Sequence, residues 1–378
     1  MKIRSLLLGT ATALVVGGAA HAADLSVAEP VDYVRVCDAF GAGYFYAPGT
    51  DTCLSIAGWA RFDASVSGSS WKYGSGPSTD YSSWDFNPQA YLMVTAKSMT
   101  DWGPLTGYFA FYTSSDGGSV VLDETYLSIG PLLAGYTESL FNYDGLLTLD
   151  NNNGDGLAYA RGNVDQIRLS WAMNGFGLAI GLEEPFRHNS YGPWSTSTAP
   201  DIVAALTGSA GGVSGKLAFV YSDGLDEEGD VAWAVNAGLT FKLDSLAPGD
   251  KLLLAVAYGA PIYAAGNVGF YYDSYYNGYW FSPEHEVLSI TGSFKHYFAP
   301  NLSSAITVNY ATGDRTWGYH PNNADFWGVN WNVQYAPVKN LYITPELRWT
   351  HYTGEHTYRP TFEADDWTAM LRLERDFP

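Results

Sequence analysis

Between Trp367 and Phe377 the chain alternates two kinds of side chain, residue by residue. Trp367, Ala369, Leu371, Leu373, Arg375 and Phe377 share one face of an extended strand; Thr368, Met370, Arg372, Glu374 and Asp376 share the other. Successive strand side chains point to opposite faces, so this segment is greasy on one side and mostly polar on the other. Its 11 residues are the length a tilted strand needs to cross a bilayer. Aromatics bracket it, as they do membrane-spanning strands at the two water interfaces. The register follows from cost. Arg372 stands near the middle, where a lipid-facing arginine costs about 2–4 kcal/mol, whereas Arg375 stands near one end, where the cost is about 0–1 kcal/mol. Arg372 is therefore expected to face a wet interior and Leu371 the lipid, and the segment points to a transmembrane antiparallel β-barrel.

The amino-terminal end agrees with export. Lys2 and Arg4 precede the apolar run Leu6 to Val16, and Ala20-His21-Ala22 closes it, the pattern of a secretory signal peptide over residues 1–22. Its removal lowers the basic count from 19 to 17 against 39 acidic residues, and the net charge from −20 to −22. No later stretch approaches the roughly 18 consecutive apolar residues of a membrane helix. An exported chain of this kind is secreted, periplasmic or an outer-membrane barrel. Aromatics make up 16 % of the chain and charged residues 15 %, the latter below the roughly 25 % of soluble domains. That composition suits a barrel with aromatic girdles and equally a large soluble β-sandwich. The acidity argues against nucleic acid as a partner, since phosphate binding needs clustered Lys and Arg. Cys37 and Cys53 are the two cysteines. In an oxidising compartment they are expected to pair, and closing that loop is worth about 3 kcal/mol in the chain-entropy model. Two thiols alone make a poor metal site.

The alternation recurs along the chain. Leu54–Val66 reads as the first strand, with Trp59, Arg61 and Asp63 on its polar face. Gln89–Ser98, Leu105–Thr113, Val120–Ile129, Leu133–Glu138, Val164–Ala172, Phe176–Glu183 and Asp201–Gly208 follow. Val213–Tyr221, Val231–Lys242, Lys251–Tyr258, Glu286–Phe298, Leu302–Thr312, Ala324–Ala336 and Leu341–Tyr352 then lead to the closing strand. The total is about 16, an even number, as bacterial barrels have. Connections alternate in length. Short ones carry turn chemistry, such as Asp101–Pro104, Gly130-Pro131, Asn174-Gly175, Ala210–Gly212, Ala299–Asn301 and Lys339-Asn340. Long ones lie between them: Gly68–Pro88, Ser139–Asn163, Glu184–Pro200, Gly259–Pro283 and Gly313–Asn323. Short periplasmic turns against long external loops is the barrel pattern, which a sandwich has no reason to keep.

Catalytic signatures fail on inspection. No G-x-S-x-G elbow occurs; His285-Glu286 starts a zinc motif but Ser289 stands in the second histidine's place; Gly211–Lys216 is one residue short of a phosphate loop. Asn151-x-Asn153-x-Asp155-Gly156 resembles half a calcium loop, yet Gly162 replaces its bidentate glutamate. No metal or cofactor is expected. The aromatics of Gly266–Phe281 read as loop packing rather than a sugar slide.

The functional constellation is charged. Arg61, Arg168, Arg348 and Arg372 take the inward face of separate strands, and the connection after Tyr136 carries Asp144, Asp150 and Asp155, with Glu138 at its base. Folded into the lumen, such a loop sets carboxylates opposite a guanidinium wall and sorts permeants by size and charge. The blander alternative pairs these arginines with inward acids such as Asp63, Glu346 and Glu374, and both can hold at once.

The run VCDAFGAGYFYAPGTDTCLSIAGWARFD (Val36–Asp63) and the stretch LDETYLSIGPLLAGYTESLF (Leu122–Phe141) resemble the alphaproteobacterial, rhizobial-type porins, and the likeness extends over essentially the whole mature chain. The resemblance implies a 16-stranded, homotrimeric general-diffusion porin whose third external loop, here Ser139–Asn163, folds inward. The expectation is thus a signal peptide (1–22), a periplasmic segment with a disulfide (23–53) and a barrel (54–378). It is expected to be a passive outer-membrane channel for small hydrophilic solutes and ions, in contact with lipid and lipopolysaccharide and inserted by the barrel-assembly machinery. A substrate-selective channel for oligosaccharides and a secreted β-rich binding protein are the alternatives. The net charge points to cation preference. One departure from the family stands at the end, where Phe377 is followed by Pro378, which cannot donate to a ladder.

Overall fold

The computed structural model describes residues 35–377 apart from 74–75, 77, 116, 144–146, 150–161, 186–198, 224–230, 265–271, 274–277, 280–285, 318–319 and 357–358. The expected signal peptide, the half calcium loop, most of the Gly266–Phe281 aromatics, Asp144, Asp150, Asp155 and Pro378 lie outside those residues.

Sixteen long strands stand among the described residues, each antiparallel to the next. They are β1 (Cys53–Tyr73), β2 (Thr79–Thr100), β3 (Gly103–Ser114), β4 (Val120–Ile129), β5 (Leu132–Glu138), β6 (Asn163–Met173), β7 (Phe176–Glu183) and β8 (Asp201–Ala210). There follow β9 (Val213–Asp223), β10 (Val231–Lys242), β11 (Lys251–Gly259), β12 (Val287–Ala299), β13 (Leu302–Trp317), β14 (His320–Val338), β15 (Leu341–His356) and β16 (Arg359–Phe377). β16 pairs back onto β1, from Phe362 with Tyr73 to Phe377 with Gly58, and this seam closes the barrel. Over the paired stretch Gly58–Tyr73 the closure leaves no exposed ladder edge, the condition a sheet must meet to sit in lipid.

The side-chain distribution is inside out relative to a soluble protein. Leu371, Leu373, Ile56, Leu206, Leu254 and Leu347 are exposed on the outer wall, while Arg372, Asn309, Asn330, Thr307 and Glu346 are buried on the inner one. A continuous exposed apolar surface of this kind marks a face that meets lipid. Exposed Trp367 and Phe377 stand near the two edges of the band; ten rises of about 3.3 Å, tilted by about 40°, span about 25 Å, the height of a barrel's apolar belt. Leu371 faces outward and Arg372 inward, as the cost argument required. At the seam's last pair the ring of Phe377 lies over Gly58, where a Cβ would stand 2.7 Å from its Cζ and 2.1 Å from the Tyr91 carbonyl oxygen.

The strands are not equally tall. β1 and β2 run for 21 and 22 residues, whereas β5 and β7 run for 7 and 8. This corrects two of the expected loops. Most of Gly68–Pro88 is strand, with Ser67 and Ser83 hydroxyls 2.8 Å apart across the hairpin, and Gly313–Asn323 likewise continues the β13–β14 ladder. Above the membrane both faces of a hairpin are solvated, so no apolar face marks the strand, although the backbone pairing goes on. The periplasmic turns are short, and the longest, between β10 and β11, ties the buried Asp250 to the Tyr297 amide at 2.8 Å and to His296 Nδ1 at 2.7 Å.

Candidate channel constriction

The segment after β5 turns into the barrel and crosses it. At its root the carboxylate of Glu183 accepts from the Ser139 hydroxyl at 2.6 Å and the Leu140 amide at 2.7 Å. Phe141 then enters a small apolar cluster with Leu140, Val203, Ala205, Val220 and Tyr263 on the lumen side of β8–β10. Tyr263 sits in a four-residue helix, α1 (Pro261–Ala264), that follows β11 inward; its hydroxyl donates to Asp201 Oδ2 at 2.5 Å and its ring meets Phe141 at 5.7 Å. Asn236 Nδ2 and Lys216 Nζ donate to the carbonyls of Phe141 and Asn142. The Tyr143 ring occupies the space of the missing side chain at Gly238, where a Cβ would come within 2.5 Å, and its hydroxyl is 2.9 Å from Thr240 Oγ1. Further along, Thr148 meets Thr307 at 2.9 Å and the Leu149 amide donates to Glu346 Oε2 at 2.9 Å. Anchors on β7, β9, β10, β13 and β15 carry one loop from one wall toward the opposite one. Glu346 thus serves the loop, together with Asn332 Nδ2 at 3.1 Å.

Beside the loop lies an open cavity of about 1110 Å³, bounded by Thr148 and Leu149 on one side and by β1–β4 and β15–β16 on the other. Arg61, Arg348 and Arg372 line it, together with Asp63, Asp85, Asp123, Asp366 and Glu374. Three guanidinium groups against five carboxylates leave this stretch of wall net negative. Two of the arginines are held across the seam by acids directly opposite them in register. Arg61 Nε donates to Glu374 Oε2 at 2.6 Å, and Arg372 binds Asp63 through Nε and one Nη, both at 2.8 Å. Such a forked pair fixes the guanidinium plane as well as its charge. Arg61 also lies 3.9 Å over the Trp59 ring, which stacks on Tyr91 at 5.3 Å.

The eight expected charges therefore divide. Arg61, Arg348 and Arg372 share the cavity wall. Arg168 on β6 lies away from that cavity, bonded to Gln166 Oε1 at 3.4 Å in the field of Glu183, Glu138 and Glu124. It and Glu138 belong to the loop root. Two acids escaped the sequence reading, Asp123 and Glu124. The β3–β4 ladder slips between Ala110 and Phe111, so Asp123 is an extra residue opposite no partner. The bulge lets both consecutive carboxylates meet hydroxyls: Tyr91 donates to Asp123 Oδ2 and Thr137 to Glu124 Oε1, each at 2.6 Å. Asn163 Nδ2 donates to the freed Asp123 carbonyl at 2.6 Å. Two adjacent acids inside an alternating strand were the signal available.

Comparison with known proteins agrees with this geometry. The model of the Porin subfamily matches residues 24–372. The chain is similar to Porin Omp2b of Brucella suis biovar 1, with 30 % identity over an alignment of 405 positions, gaps included, that covers 100 % of both chains. Among solved structures it resembles the outer membrane channel DcaP of Acinetobacter baumannii, at a TM-score of 0.68 and 16 % identity over 88 % of this chain and 99 % of that one. It also resembles the trimer form of OmpT from Vibrio cholerae, at a TM-score of 0.52 and 11 % identity over 87 % and 100 %. Both structural likenesses speak to the fold. A closed barrel, apolar outside and crossed by an inward loop beside a charged wall, has the architecture of a channel, and the chain belongs to the Porin subfamily as an integral outer-membrane porin.

Proposed function

We propose that the channel passes small hydrophilic solutes and ions by passive diffusion, sorted by size and charge between the loop segment Thr148–Leu149 and the wall of Arg61, Arg348 and Arg372. The observation that carries this reading is the loop itself, which crosses the lumen and leaves, beside Thr148 and Leu149, a cavity whose wall carries both guanidinium and carboxylate groups. Asp144, Asp150 and Asp155 belong to the same loop by sequence and add to its negative charge; Arg168 and Glu138 stand near its root. The excess of carboxylates favours cations. Diffusion through such a slot has no chemical step and needs no cofactor.

We further infer a homotrimer, the form in which OmpT of Vibrio cholerae has been solved. Residues 1–22 serve as signal peptide and 23–53 as a periplasmic segment. Lipid and lipopolysaccharide contact the outer apolar band, and the closing strand is what the assembly machinery reads. Reversal potentials across planar bilayers and sugar permeation into liposomes test the reading together. Cation preference with permeation that falls smoothly with sugar size supports it; saturable block of conductance by one sugar would replace it with a substrate-selective channel.

A further inference from the structure

The seam between β16 and β1 ends too early. Its last pair is Phe377 with Gly58, so residues 53–57 of β1 have lost that neighbour while β2 still pairs with them, from Cys53 with Lys97 to Ala57 with Met93. An amino-terminal segment covers the periplasmic end of that gap. Phe45 and Tyr46 stand opposite Leu54 and Cys53, Val36 bridges to Phe45, and the Cys37–Cys53 disulfide closes the hairpin. The outermost part of a bare ladder edge, at Cys53 and Leu54, is thereby covered.

The same hairpin reaches into the mouth. On β1 and β2 the odd-numbered residues face the lumen, as Trp59, Arg61, Gln89 and Tyr91 do, and the pairing continues without a slip to Cys53 and Lys97. Cys53 therefore draws Cys37 to the inner side, and both are buried. The arc from Asp38 to Tyr44 follows. Lys97 Nζ lies 5.8 Å from the Phe40 ring centre and 5.2 Å from that of Tyr44, and the two rings are 6.0 Å apart. Tyr44 is also within electrostatic reach of Tyr126 on β4. Lys97 stands six strand rises from Tyr91, which puts this arc about 15 Å below the constriction on the same wall.

We propose that the disulfide-closed hairpin is a second constriction in series with the first, and that Lys97, held over Phe40 and Tyr44, is its charge-selecting residue. Every solute that leaves the loop slot along the β1–β4 wall passes this arc before reaching the periplasm. The hairpin's own acids, Asp38 and Asp51, are exposed, whereas the Lys97 ammonium is fixed between two rings, a geometry that holds a cation in place. The slot above is rich in carboxylate and the arc below presents an amine, so the two sort ions in opposite senses. The proposal rests on the channel reading above.

The test uses the purified full-length channel inserted with one orientation in a planar bilayer. Reductant added to the periplasmic side is expected to raise single-channel conductance, with reduction verified by thiol labelling of Cys37 and Cys53. Lys97→Glu is expected to shift the cation-to-anion permeability ratio at least twofold toward cations. Unchanged conductance after complete reduction overturns the second constriction, and a parental permeability ratio in Lys97→Glu overturns the role of Lys97. A parent channel that conducts nothing would instead sink the channel reading itself. Because reduction acts on the folded protein, a failure of Cys37→Ser or Cys53→Ser variants to assemble leaves the experiment intact.

Discussion

Replacing Glu183 with alanine is expected to loosen the root of the crossing loop. The buried carboxylate holds the Ser139 hydroxyl and the Leu140 amide at 2.6 and 2.7 Å. A hydrogen bond to a charged group contributes about 1.5–3 kcal/mol, so the two together hold the root by about 3–6 kcal/mol. Water entering the vacated space recovers part of this, leaving a net loss of about 3 kcal/mol. At 1.4 kcal/mol per tenfold, the population of the opened root rises on the order of a hundredfold. Hydrogen exchange reads that directly, because amides protected by local docking exchange at a rate set by local opening. The Leu140–Tyr143 segment in Glu183→Ala should exchange on the order of a hundred times faster than in the parent, with noisier single-channel currents. The tip anchors at Thr307 and Glu346 should keep the loop inside the barrel, so conductance should fluctuate rather than double. Glu183→Gln keeps one acceptor and should fall between the two. Parental exchange and parental current noise in Glu183→Ala would refute the assignment of the root to this carboxylate.

Arg372→Ala is expected to strip Asp63 of its forked partner on a wall already rich in acids. Breaking a buried pair costs about 3–5 kcal/mol, and the added negative charge should raise the cation permeability ratio; thermal unfolding and reversal potential read the two effects. The cation preference should weaken between 0.1 and 1 M KCl, as the screening length falls from about 10 to about 3 Å, and a ratio independent of salt would place the selecting charges out of reach of mobile ions. At the periplasmic turn, burial raises the Asp250 carboxyl, but donation from His296 and from the Tyr297 amide outweighs it and holds the group below its ordinary value. A depressed carboxyl contributes stability above its unfolded pKa and loses it as pH falls through the folded one. The unfolding temperatures of the parent and of Asp250→Asn should therefore differ at neutral pH and converge in acid below the ordinary carboxylate range.

The lipid-spanning part of the barrel was legible because lipid punishes errors of register. One arginine at mid-strand set the face of the closing strand, and Val120–Ile129, Phe176–Glu183 and Val231–Lys242 begin and end where alternation begins and ends. Above the membrane that pressure vanishes, which is why the Gly68–Pro88 hairpin read as a loop. The docking of the crossing loop depends on partners far away in sequence, so its path could not be read, although one trace of it was present. Ile202–Leu206, Leu217–Tyr221 and Val231–Val235 are apolar on both faces. In a barrel with a wet interior that combination is costly unless something covers the inner side, and Leu140 and Phe141 do so. The bulge at Asp123 was hidden for a different reason: a slip of one residue reverses every later face, and two neighbouring acids announce it only once the pairing is known.

The anchors of the crossing loop also order its assembly in time. Its root bonds to Glu183 across 43 residues of sequence, its middle to Asn236 across 95, and its tip to Thr307 and Glu346 across 159 and 197. Closing a loop of 197 residues costs about 1.3 kcal/mol more than closing one of 43, and the distal partners exist only once β13 and β15 have joined the sheet. The root can dock while the sheet is still open and half built; the tip cannot dock until its far wall is in place. A growing barrel of this kind is thus wide while it forms and narrow only when finished, and the slot that limits what crosses the membrane is the last part of the molecule to come into existence.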